Sequence, residues 1–321
     1  MTPSAPTSGY SGRVRSLGRD ALGRLLRNKL SVIGLTITLL FVLLAILGPV
    51  LAPYPYQQQD LRRTNELPSQ DHWLGTDDLG RDFLSRVMWG ARTAIIVATF
   101  VTSIAVTLGI LLGGVAAYLG GLADSIVGRL IDVAQSVPTI MLALLVDTAF
   151  KRPVANAFEV AYQATGLEFF RGSILLDYLI TLAAIAAVSW PAYARLIRGQ
   201  ILSIRVRGYV EAARATGVPG GRILLRHIVP NALGPIIVAA TFGFSSAMIL
   251  EASLSYLGIG IQPPAASWGA MINDNLHQWR NRPYLVAVPA VVLGIATLAI
   301  NFLGDGLNDA LNPRVSVARK N

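Results

Sequence analysis

Long apolar runs separated by short polar segments dominate the chain. Six stretches, about 31–52, 94–119, 133–150, 176–196, 232–254 and 284–304, approach or exceed the roughly 20 residues that a membrane-crossing helix needs. Runs of this length cannot be the alternating strands of an outer-membrane barrel, so the pattern predicts an all-α integral membrane protein with six transmembrane helices. The first run, Ser31 to Ala52, is too long for a signal-peptide core and is followed at once by Pro53, which predicts an uncleaved span. Residues 13–30 place Val14, Leu17, Ala21, Leu22, Leu25 and Leu26 at helical spacing between arginines, the pattern of an amphipathic helix lying on the membrane surface. The expected organisation is a tail over 1–30, a six-span domain over 31–313 and a second tail over 314–321.

Composition agrees with that reading. The 321 residues are 53% hydrophobic and 14% charged, against about 25% charged in ordinary soluble domains. No cysteine is present, which excludes disulfides, Cys-ligated metal and a thiol nucleophile. The net charge of +9 would suggest nucleic acid in a soluble chain, but its distribution explains it differently. Of the 27 Lys and Arg, 17 fall in segments that are cytoplasmic if the N-terminus is, and 10 fall on the other side. The positive-inside rule therefore places both termini in the cytoplasm and leaves no role for nucleic acid.

The predicted span interiors are almost free of ionisable groups, with Asp132, Asp147 and Glu251 at expected span ends. A proton- or sodium-coupled carrier usually keeps such a group inside the membrane, and a channel usually rings its pore with charge or carbonyls. An energy source outside the bilayer is expected instead. None of Lys29, Lys151 and Lys320 follows a glycine, so the chain has no phosphate-binding P-loop. It has no nucleophile elbow, and His72, His227 and His277 are scattered. The chain is expected to be non-catalytic, without cofactor or metal. Pro138, Pro191 and Pro289 interrupt three spans, and Gln135, Ser136, Ser189 and Trp190 precede the first two of these. Such polar-plus-proline patches either line a translocation path or make ordinary interhelix hydrogen bonds.

The loop over 198–231 is the most informative segment. Tyr209 to Thr216 favours helix, Gly217 suits a left-handed C-terminal cap, and Pro219-Gly220-Gly221 breaks the chain. A helix of two turns does not persist alone in water, so it is expected to dock. A second segment, Arg222 to Val229, leads through Pro230 into the fifth span. On the other face, Thr76 or Asp77 is expected to cap a helix whose Leu79, Phe83, Val87 and Met88 form one apolar side. Leu79 and Arg81 fall where a calcium loop needs oxygen ligands, so these acids do not read as a calcium site.

Glu211-Ala212-Ala213, with Gly217 and Pro230 at fixed distances beyond, resembles the EAA loop of ATP-binding-cassette importer permeases. Arg226-His227-Ile228-Val229-Pro230-Asn231 is similar to the peptide-importer branch, although His227 and Val229 stand where the general pattern has Ile and Leu. The run His72-Trp73-Leu74-Gly75-Thr76-Asp77-Asp78-Leu79-Gly80-Arg81-Asp82 with Ser85-Arg86 resembles the signature of the second permease subunit of dipeptide and oligopeptide importers. Glu251 to Gly260, followed by Ser267-Trp268-Gly269, resembles the end of that family's fifth span. The resemblance covers roughly 30–313 and leaves the outer stretch 151–175 less typical, either a binding-protein contact or a tolerated insertion. It implies a type I importer permease fold in a bacterial or archaeal cytoplasmic membrane. It also implies a second homologous permease, two P-loop ATPases that bind ATP and Mg, and an extracytoplasmic solute-binding protein. Residues 208–221, with Tyr209, Glu211, Ala212, Ala213, Gly217 and Pro230, would then form the ATPase-coupling element. Asp77, Arg81, Asp82, Ser267 and Trp268 would be outer-face contacts. Short peptides are the expected cargo, with a nickel chelate, glutathione or a glycoside as alternatives and a stand-alone secondary transporter as the rival.

Overall fold

A computed structural model describes residues 22–170 and 173–311. Among these residues the secondary structure is helical throughout, apart from one isolated bridge between Thr76 and Asp82. In chain order the helices are α1 (Lys29–Leu51), α2 (Phe83–Leu119), α3 (Gly121–Ser136), α4 (Thr139–Thr165) and α5 (Ser173–Ile204). They continue with α6 (Gly208–Ala215), α7 (Gly220–Tyr256), α8 (Trp268–Asp274) and α9 (Tyr284–Leu311). α1, α2, α5, α7 and α9 are each long and apolar enough to cross a membrane, and α3 with α4 makes a sixth crossing only as a bent pair. This is a multi-pass membrane protein.

The third crossing corrects the expectation of a single span over 133–150. α3 stops at Ser136 and α4 leaves at 96° to it. Pro138 is the physical cause, since it cannot donate to the preceding turn and disfavours helical geometry at Val137, which is extended with φ −97° and ψ 137°. α4 then runs on to Thr165, so most of the stretch 151–175 is helix. Other boundaries also move. α2 begins at Phe83 instead of near residue 94, and α5 continues to Ile204, taking the start of the expected loop. Of the expected amphipathic N-terminal helix, residues 13–21 lie outside the described residues. Residues 22–25 are helical, and Asn28 then caps α1 by accepting from the Leu30 amide at 3.1 Å.

Two buried clusters hold the bundle. One is centred on α2, where Phe83, Val87, Ala94 and Val97 meet Ile185 of α5, Met248 and Leu254 of α7, and Leu285 and Ile300 of α9. The other gathers Ile197, Ile201 and Ile204 of α5 with Val210 of α6 and Ile223, Ile228 and Ile236 of α7. Outside these, large apolar side chains such as Leu40, Ile46 and Val50 of α1 are exposed, as a lipid-facing surface requires. In a bilayer, helices associate by close packing of small residues rather than by expulsion of water. Gly113 shows it: a Cβ there would lie 2.5 Å from the Ala194 carbonyl oxygen of α5. Gly109 and Gly113 form a small-residue pair four apart within a wide helical turn over Gly109–Gly114.

Candidate functional site

A cavity of about 1020 Å³ opens between α2, the α3–α4 break, α5 and α7. Its lining includes Thr102, Gln135, Thr139, Ser189, Tyr193, Gly243 and Ser246, and no charged side chain contributes to it. Of the four expected path residues, Gln135 and Ser189 line this space. The other two do not line it. Ser136 is exposed outside the cavity and donates to the Val133 carbonyl at 2.7 Å, and Trp190 packs against the cluster around Tyr193 and Ile197. Helical rotation sets the difference, because successive residues lie about 100° apart around the axis and face different neighbours. Ser189 satisfies its own hydroxyl on the Ile185 carbonyl at 2.7 Å.

α3 is tied across α5 by ion pairs. Arg198 holds Asp124 with two bonds of 2.6 and 2.9 Å, and Arg195 reaches Asp132 at 2.7 Å. Neither pair is evident in the sequence, where the partners lie more than sixty residues apart.

The Glu211 segment folds as the spacing predicts. α6 ends in a Schellman motif, with the Gly217 amide on Arg214 O at 2.9 Å and the Val218 amide on Ala213 O at 3.2 Å. Gly217 takes φ +79°, which a side chain rarely adopts. Val210 is fully buried, whereas Tyr209, Glu211, Ala212 and Arg214 are exposed. α6 is therefore rooted by Val210, with Ala213 packed beside it, and presents its other faces outward. Pro230 sits in α7 just after a wide turn over Leu224–Ile228, where the missing donor is accommodated.

At the opposite end of the bundle the residues expected to be outer-face contacts are internal. Asp77, Arg81, Asp82, Ser267 and Trp268 are 3%, 4%, 3%, 0% and 2% exposed. Arg81 Nε donates to Asp77 at 2.6 Å, and Asp77 also accepts from the Leu79 and Arg81 amides at 3.0 Å. Asp82, rather than Thr76 or Asp77, caps α2 by accepting from the Ser85 amide at 2.8 Å, and its other oxygen meets His72 Nδ1 at 2.9 Å. Leu79 lies before the helix. Thr76 instead ties the loop to the Arg63 carbonyl and the Glu66 amide. Arg63 is held above its ordinary basicity by hydrogen bonds to Glu66 and Asp71. Burial pushes the Asp274 carboxyl above the usual range, opposed by Arg86 and Arg81.

The second expected contact segment is a strut. Ser255 and Ser267 both donate to Glu251 Oε1 at 2.8 Å, and the Trp268 indole donates to the Val87 carbonyl at 3.0 Å. A Cβ on Gly90 would lie 2.5 Å from the Trp268 ring, so the indole needs that glycine. Sequence reasoning missed Gly90, Gly113, Tyr193 and Gly243. Small residues inside an apolar run were the available signal for three of them. Asp147 was expected at a span end, but the structure places it inside α4 at 1% exposure.

Residues 105–317 match the family described as binding-protein-dependent transport system inner membrane component, and residues 16–68 match the N-terminal TM domain of oligopeptide transport permease C. The chain belongs to this family of importer permeases. It is 37% identical over 306 residues to the dipeptide transport system permease protein DppC of Bacillus subtilis, covering 94% of this chain and 87% of that protein. The protein of the same name from Alkalihalophilus pseudofirmus is 34% identical over 313 residues, covering 98% and 95%. The oligopeptide transport system permease protein OppC of B. subtilis is 34% identical over 317 residues, covering 98% and 96%.

Proposed function

We propose that this chain is one of two transmembrane subunits of an ATP-driven importer of short peptides, set in a prokaryotic cytoplasmic membrane with both termini inside. The family and the relatives' names support the peptide cargo. The observation that carries the mechanical part is α6, rooted through Val210 and exposing Glu211, Ala212 and Arg214.

In this reading α6 fits a groove of a cytoplasmic ATPase, and residues 208–221, with Tyr209, Ala213 and Gly217, form the coupling element that leads through Pro230 into α7. Two ATPases bind ATP and Mg, and this chain contributes no chemistry. ATP-driven closure moves α6, and α6 moves α5 and α7 because Ile204, Val210, Ile223 and Ile228 share one buried cluster. Those two helices form two walls of the cavity, which Gln135 of α3 and Ser189 of α5 line as this chain's half of the path. A second permease supplies the other half. A lining without charge suits peptides of varied sequence, since no fixed ion pair selects one side chain. An extracytoplasmic binding protein delivers the cargo to the end carrying residues 52–82 and 257–283.

The test is purification of the tagged chain in mild detergent from its own host, with co-purifying proteins identified by mass spectrometry. A P-loop ATPase and a second six-span subunit are expected. A chain that emerges alone from membranes where those proteins are expressed contradicts the proposal.

A further inference from the structure

One buried carboxylate has no hydrogen-bond partner among the described residues. Asp147 of α4 is 1% exposed, and neither of its oxygens makes a hydrogen bond. Thr181 of α5, also 1% exposed, approaches it without a hydrogen bond of acceptable geometry, and its hydroxyl is unpartnered too. Among the described residues, the charged groups acting on Asp147 are Lys151, one turn further along α4, and Asp177 of α5. Lys151 Nζ is already engaged by Asp177 at 3.1 Å, forming an ion pair between the two helices. α7 also packs on α4, and its ionisable group at this end of the bundle, Glu251, is occupied by Ser255 and Ser267. Two acids therefore share one ammonium, and whichever lacks it is left with an uncompensated charge. A bare carboxylate in this setting costs several kcal/mol.

We propose that Asp147 is a proton-binding site, and that its proton decides whether Lys151 ties α4 to α5. A proton removes the charge that Lys151, engaged by Asp177, leaves uncompensated. The carboxylic acid becomes a donor to Thr181 Oγ1, and no net charge remains uncompensated. An alkali ion fits poorly, since it needs more oxygen ligands than one carboxylate and one hydroxyl provide. With Asp147 protonated, Lys151 is free to bridge to Asp177, as observed. Once Asp147 ionises, it competes for the same ammonium from the i−4 position, and the Lys151 side chain is 37% exposed and so has room to swing. The bridge between α4 and α5 then opens. Both helices contribute to the cavity through Thr139, Leu142, Val188 and Ser189, so proton release loosens one wall of the translocation path. The path assignment rests on the proposed function above. The proton site itself does not.

Infrared difference spectroscopy of the purified full chain tests it at neutral pH. The spectrum of the wild type minus that of Asp147→Asn is expected to contain the carbonyl stretch of one protonated carboxyl group. Glu251 is common to both samples and cancels. Asp177→Asn is expected to weaken the same band, because it releases Lys151 to Asp147 and lets the proton leave. Absence of the band from the first difference overturns the proton site. A band that Asp177→Asn leaves unchanged overturns the sharing of Lys151. Transport is not read in either measurement, so failure here and failure of the importer assignment are distinguishable.

Discussion

Arg198 and Asp124 meet through two parallel hydrogen bonds of 2.6 and 2.9 Å, joining the C-terminal half of α5 to the first turn of α3. Bidentate guanidinium–carboxylate geometry fixes orientation as well as distance. With Arg195–Asp132 it holds α3 across α5, next to the break that floors the cavity.

Removing that tie should free α3 more than it unfolds the chain. Asp124→Asn is expected to cost about 1 kcal/mol, since both side chains are partly exposed. The chain has no cysteine, so a single cysteine at Gln135 reports the motion directly. Its maleimide labelling should accelerate several-fold in Asp124→Asn and return to normal in the charge-swapped Asp124→Arg/Arg198→Asp pair. Unchanged labelling means that the ion pairs do not hold α3.

Gly90 is required by its neighbour. Gly90→Val places carbon atoms where the Trp268 ring lies and should displace the indole from the Val87 carbonyl. Overpacking plus a lost buried hydrogen bond is expected to cost about 2–4 kcal/mol, read as a lower unfolding temperature in detergent. Trp268→Phe keeps an aromatic ring but loses the donor and part of the indole volume, and should cost about 1–3 kcal/mol.

Glu251 joins α7 to the segment that enters α8. Glu251→Gln keeps an acceptor for Ser255 and Ser267 and should be tolerated within about 1 kcal/mol. Glu251→Ala leaves both hydroxyls without their acceptor and creates a cavity, with an expected loss of about 3 kcal/mol. Equal stability of the two variants in thermal unfolding refutes the strut.

The cavity lining predicts a graded effect on transport. Gln135→Leu and Ser189→Leu alter surfaces that face the space, whereas Ser136→Leu and Trp190→Phe do not. In proteoliposomes holding the whole complex, peptide uptake should change in the first two and stay near normal in the second two. Uptake unaffected by Gln135→Leu and Ser189→Leu contradicts the path assignment.

How much of this was legible in the sequence follows from the range of the forces involved. Apolar run length reports the bilayer, so the existence of the long helices could be read directly. Cap chemistry is local, which is why the stop at Gly217 and an interruption at Pro138 could be anticipated. The direction taken after Pro138 is not local. It depends on Arg195 and Arg198, far along the chain, and so the sharp turn of α3 was invisible. Burial of Asp77, Arg81 and Asp82 was hidden for a related reason. Charged residues beside a span look like surface, yet here they pair inside a loop that covers the ends of α2 and α8. Asp147 looked like a span end because the apolar pattern weakens after it. Helix α4 instead continues through Lys151 to Thr165, carrying charge on a face that packs against α5.

The most direct measurement compares ATP hydrolysis with peptide uptake in proteoliposomes containing the assembled transporter, for the wild type, Glu211→Lys and Gly217→Pro. Glu211 is exposed on α6, and Gly217 holds a positive φ that proline cannot adopt. Both variants should insert and assemble, yet show uptake reduced at least about tenfold and no longer proportional to hydrolysis, a loss of about 1.4 kcal/mol or more in coupling. Normal uptake in both variants contradicts the claim that α6 transmits the ATPase motion to the path.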